Sequence, residues 1–119
     1  MPQSFNPGDF LVFQLEAGFG LLRILSVDTN GGDPIWHLAA YRDLFPDIEA
    51  VESASATPGL LSISDPHLAL TNRAFESTQV AKIANAPLTE NDLKPFEYWQ
   101  SGQDRQVSDR SVRLLLGLR

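Results

Sequence analysis

NPGDFLVFQLEAGFGLLRILSVDTNGGD, residues 6–33, decides the fold of this chain. Two apolar runs, residues 10–15 and 21–27, flank a glycine-containing connection at 16–20. A second turn cluster, 29–34, closes the unit. Runs of this length bounded by such turns predict an antiparallel β-meander. In the first run Leu11, Phe13 and Leu15 share one face, and Phe10, Val12 and Gln14 the other. Both faces are largely apolar, so this strand is expected to be covered on both sides. Before it, Pro7 presets φ and Gly8 is free to take positive φ, which makes 7–9 a turn. In the second run strict alternation places Leu21, Arg23, Leu25 and Val27 opposite Leu22, Ile24 and Ser26. Arg23 is the one charge inside it and must lie near an edge, snorkel, or pair with an acid.

Working outward, IWHLAAY at 35–41 reads as a third strand, with Ala39 and Ala40 small enough to admit another element closely. The acidic, small-residue stretch 49–58 reads as a short helix or an exposed loop, with a loop or a tip with one turn of helix favoured. Residues 60–64 and 67–70 read as two strands, or one broken by Asp65-Pro66, since proline cannot donate to a central ladder. Thr71 and Asn72 are placed to cap a helical turn over 73–77. Residues 79–84 are strand or helix. Thr89-Glu-Asn-Asp92 has capping-box spacing, with Pro95 limiting the helix that follows. Ser108, Asp109 and Gly117 frame a carboxy-terminal helix of about two turns. The expected core is Phe10, Val12, Phe13, Leu22, Ile24, Leu25, Trp36, Leu38, Leu68, Leu70 and Leu115.

A chain of 119 residues without internal repeats or a long linker is expected to form one domain, 1–119. At this length folding buries roughly 65% of the unfolded surface, enough for one core without staples. The absence of cysteine excludes disulfide frameworks, cysteine zinc sites and thiol catalysis. MPQSFNPGDF has neither a basic nor an apolar leader segment, and no apolar run approaches the ~20 residues of a membrane span. A cytoplasmic protein is expected, with no membrane partner. The net charge of −6 disfavours nucleic acid, whose phosphates such a surface repels on average.

Several constellations carry candidate chemistry. Gly18-Phe-Gly20 lacks the third glycine of a dinucleotide loop, which falls at Arg23, and a strand rather than a helix follows. Asp28-Thr-Asn-Gly-Gly-Asp33 opens like a calcium loop, but Gly32 stands at its fifth position and Ala39 at its twelfth, so a polar hairpin turn is the better reading. His37 and His67 have no ligand partner at a spacing of three or four, so no metal site or cofactor is expected. No serine lies in a Gly-x-Ser-x-Gly elbow. Asp43, Asp47, Glu49 and Glu52 form either a solvated acidic surface or a site for a basic partner. Among the aromatics, Phe19 at a turn tip is expected to be exposed, while Trp36 and the late cluster Phe96, Tyr98 and Trp99 suit a core or a binding patch. Arg110 and Arg113 are expected on one helical face near the carboxy terminus, with Arg105 and Arg119 adding positive charge.

The order Gly8-Asp9, apolar strand, glycine turn, then Gly20-Leu-Leu-Arg23-Ile-Leu resembles the opening of small SH3-like β-barrel proteins, in particular bacterial polymorphic-toxin immunity proteins. The resemblance covers about residues 7–41. It implies a non-catalytic protein that occludes a toxin.

These readings converge on an α+β fold, β-rich, built on a bent antiparallel sheet or an SH3-like partly open barrel with short helices and a carboxy-terminal helix. The expected function is a non-enzymatic binding module that recognises another, basic protein through Phe19, Trp36, Asp43, Asp47, Glu49 and Glu52, where aromatics give apolar contact and acids steer. One alternative is a small-molecule-binding or enzymatic barrel in which Arg23, His37 and Asp43 face a pocket. Another is a homodimer that buries a sheet edge or the terminal helix by symmetry.

Overall fold

The computed structural model describes residues 5–29 and 32–117. Its centre is an open five-stranded antiparallel sheet in the order β4-β3-β2-β1-β5, formed by β1 (Asp9–Leu15), β2 (Gly18–Asp28), β3 (Ile35–Tyr41), β4 (Ile63–Thr71) and β5 (Ala81–Asn85). The two edge strands do not pair with each other, so the sheet does not close into a barrel. Among the described residues four α-helices complete this β-rich α+β fold: α1 (Ile48–Ser55), α2 (Asn72–Glu76), α3 (Glu90–Ser101) and α4 (Val112–Leu116).

The meander forms as the apolar runs dictate, with one change at its first turn. Leu15 pairs with Gly18, which leaves only Glu16 and Ala17 as the loop. Gly18, Phe19 and Gly20 belong to β2, so Phe19 is not at a turn tip. The two glycines serve close packing instead. A Cβ on Gly18 would lie 2.4 Å from the Phe45 carbonyl oxygen, and one on Gly20 would lie 2.4 Å from the Phe13 ring. At the far end Asp28 pairs with Ile35, while Asn30 and Gly31 of the expected polar turn lie outside the described residues, as does Arg119.

A register shift between Ile24 and Ser26 decides what each sheet face carries. Strict alternation would put Val27 beside Leu25. With one extra residue in the strand, Val27 faces Trp36 and Ser26 faces His37, because a bulge reverses the side-chain parity beyond it. One face thus collects Leu11, Phe13, Leu22, Ile24, Trp36, Leu38 and Leu70, covered by Phe75 of α2 and Val112 of α4. The Trp36 and Phe75 rings stack at 4.1 Å. The other face carries Phe10, Val12, Leu21 and Tyr41 under Val51 of α1. Of the expected core, Leu68 and Leu115 are only partly buried; the rest is buried.

Local chemistry corrects four element expectations. Of the two readings of 49–58 the short helix forms rather than the favoured loop: α1 makes two turns, because the Asp47 carboxylate caps Ala50 N–H and Val51 is fully buried. β4 runs through Pro66 without ending, since β4 is an edge strand and its register slips beside that proline. Pro95 does not stop α3, which continues to Ser101 behind a full capping box at Thr89 and Asp92. The carboxy-terminal helix starts later than expected: Ser111, not Ser108, caps α4, and Gly117 ends it at φ 67°. Ser108 pairs with Leu70 in parallel and covers part of the β4 edge, and Arg110 precedes the helix rather than sharing its face with Arg113.

Candidate functional site: a histidine pair under α3 and an acidic, apolar end

Helix α3 lies on the sheet face that carries Arg23 and His37, and none of its residues is fully buried. An ion pair and an aromatic contact over two histidines hold it there. Arg23 is buried within β2 and reaches Asp92 at 3.2 Å. The same guanidinium donates to the Ala86 and Pro87 carbonyl oxygens at 2.9 and 3.1 Å and lies 4.6 Å over the Phe10 ring. Pairing with an acid was one of the outcomes the sequence left open for Arg23. Here it ties the β5–α3 connection to the centre of the sheet.

The second feature is a pair of histidines. His37 on β3 sits opposite Ala69 on β4, which makes His67 its diagonal neighbour on the same face. The rings stack at 14°, with His37 Nδ1 and His67 Nε2 3.0 Å apart. One of the two nitrogens carries the shared proton. Phe96 and Trp99, one turn apart on α3, close over both rings, with centroids 4.6 and 4.8 Å from His37. His37 is 1% exposed. Burial first, and the neighbouring His67 second, push His37 down to about 4, with Asp28 working the other way. Burial also pushes His67 below its ordinary value. Both rings are therefore neutral at pH 7. Three hollows of about 390, 440 and 560 Å3 open around this cluster, and Trp99 lines all three. Its indole N–H donates to the Gln106 carbonyl oxygen at 2.9 Å and so fastens the segment after α3.

Spacing along the chain gave no sign of this pairing, because the two histidines are thirty residues apart. The strand pattern held the missing signal: both rings fall on one face once β3 and β4 are neighbours. Among the described residues no group of three or more His, Cys, Asp and Glu could hold a metal ion.

Arg23, His37 and Asp43 do not meet in one cavity. His37 and Arg23 line different hollows, and the Asp43 carboxylate accepts Ser62 N–H at 2.7 Å in the loop after β3. Trp36 is buried in the opposite face of the sheet. Phe19 is half-buried, against the expectation that it would be exposed. Its backbone exchanges hydrogen bonds of 2.8 and 3.0 Å with Phe45, which holds the loop before α1 against β2.

Asp47, Glu49 and Glu52 are exposed on and before α1. Residues 43–62 hold four acids and no lysine or arginine, and among the described residues none of the four enters an ion pair. The same end of the sheet exposes Leu44 (50%), Leu60 (83%) and Ile63 (47%). Ile63 pairs with Tyr41, and Arg42 N–H donates to Ser62 O at 2.7 Å, so these segments run side by side. Leu60 and Ile63 escaped sequence reading because they lie in a run that reads as ordinary strand core.

Comparison with family models, curated proteins and solved structures finds no match to this chain.

Proposed function

We propose that this protein is a non-enzymatic binding module. Its partner is a protein that presents basic and apolar side chains together, such as an amphipathic helix of lysines and leucines. The observation that carries the reading is the connection from β3 to the start of β4, which exposes Leu44, Leu60 and Ile63 and also carries the exposed acids Glu49 and Glu52. Large exposed apolar side chains rimmed by charge favour recognition over solubility. An excess of acids, four against the single base Arg42 over residues 42–63, raises the encounter rate of a cationic partner, and apolar burial then slows its release. Several groups that could do acid–base work are already engaged, which favours a binding role over catalysis. The Asp43 and Asp47 carboxylates accept backbone N–H groups, and the two histidines are engaged with each other under aromatic rings.

Backbone amide NMR with a synthetic Leu/Lys amphipathic helix of roughly 18 residues, five turns, tests this. Shifts confined to residues 42–63 and weakening with added salt are expected. Shifts centred on β5 or α3, or none, would refute the assignment.

A further inference from the structure

We infer that the His37–His67 pair is an acid-released latch: protonating it undocks α3 while the sheet and the helices on its other face stay folded. This device is independent of the acidic end described above.

The geometry supplies both halves of the argument. In the neutral pair one ring donates and the other accepts across 3.0 Å. A second proton removes the acceptor and sets two N–H donors face to face. A first proton places a cation under Phe96 and Trp99, out of water. Burial is the leading cause of the shift on each ring. For His37, the fall from 6.5 to about 4 corresponds to two to three powers of ten against the charged, docked form. A cation against an aromatic face regains only about one of these. The sign follows from proton counts. Above pH 6.5 neither the docked nor the released form binds the proton. Between 6.5 and about 4 the released form binds it and the docked form does not, so docking weakens as pH falls.

Other charges near the pair do not reverse this. Asp28 of β2 favours the cation, while Arg105 and Arg110, in the segment after α3, line the same hollows and oppose it. Asp104 lies in the third hollow, beside His67. From β4 comes Asp65, two residues from His67, and β3 adds Tyr41 at its far end. Under the start of α3 the Asp92 carboxylate is already engaged by Arg23.

Release stays local because α3 has no fully buried residue, whereas the opposite face holds the larger apolar cluster. Elements with few buried apolar contacts open below the cost of global unfolding. The two tryptophans report the two events separately. The Trp99 indole N–H bonds to Gln106 O above the latch, and the Trp36 indole N–H bonds to Asn72 on the other face.

The experiment follows both indole N–H resonances and both imidazoles by NMR from pH 7.5 down to about 3.5. The latch predicts that Trp99 loses its docked resonance between pH 6.5 and 4, together with imidazole protonation, while Trp36 keeps its own. The transition should vanish in His37→Gln/His67→Gln and persist in Asp92→Asn. If Trp36 and Trp99 change together, if the imidazoles titrate with Trp99 unmoved, or if the transition survives the double glutamine variant, the inference is wrong. Should that variant not fold, coincidence or separation of the imidazole and Trp99 midpoints in the natural protein decides it.

Discussion

Gly18 adopts φ 149° with the Phe45 carbonyl oxygen where a side chain would begin. Any Cβ must push that backbone away and break the paired bonds that hold the loop before α1. Gly18→Ala is therefore expected to lose about 1–3 kcal/mol in urea unfolding, even though alanine favours folding at unstrained positions. Asp9 is a second residue where the surroundings decide behaviour. It is fully buried at the start of β1, and burial works against its charge. The Asn6 N–H at 2.8 Å, the Asn85 amide at 2.7 Å and the Lys82 ammonium at 3.3 Å outweigh that and hold its carboxyl below 3.8. A carboxyl held low stabilises the fold above its unfolded pKa, and that contribution is lost as pH falls through its folded value. Asp9→Ala leaves buried donors unpaired and should cost about 1–3 kcal/mol near neutral pH. The loss should shrink below pH 3.8, where the native carboxyl itself protonates; unfolding curves at the two pH values measure this.

At the scale of elements, caps do more than propensity. Asp47→Ala removes the acceptor for Ala50 N–H and is expected to destabilise α1 by about 1 kcal/mol. It should also weaken peptide binding, because it removes one of the four acids of that end together with the cap. Amide exchange protection over Ile48–Ser55 reads the first effect, and titration with the Leu/Lys helix the second. How far each element was legible in the sequence follows from where its determinants lie. β1, β3 and the capped starts of α2 and α3 rest on local signals, namely alternation and a hydroxyl or carboxylate at the right offset, and these were readable. The start of α4 misled because Ser108 and Ser111 are both good caps, and only pairing with β4 takes Ser108 away. Parity past Leu25 was hidden because a bulge leaves little mark in a run whose two faces are both largely apolar. The glycines at 18 and 20 looked like turn residues because the Phe45 and Phe13 atoms they make room for are distant in sequence or across a strand.

For the molecule as a whole, the two sheet faces are built differently. One is an apolar sandwich around Trp36 and Phe75. The other is divided between the small cluster under α1 and the polar dock of α3, where Arg23 and a histidine pair stand in for aliphatic side chains. The sequence disclosed the charge of the acidic end but not its apolar partners, and it named both histidines without bringing them together. Both gaps are relations between segments, which a linear pattern does not carry. The proposed recognition surface is the acidic, apolar end. Calorimetric titration of the Leu/Lys helix into the natural protein and into Glu49→Lys/Glu52→Lys/Leu60→Ser tests it most directly, with folding of the variant checked by the Trp36 indole resonance. Recognition there predicts a saturable interaction in the natural protein, weakened at least tenfold in the variant and reduced by salt in the natural protein alone. Equal affinity in both, with the variant folded, would contradict it.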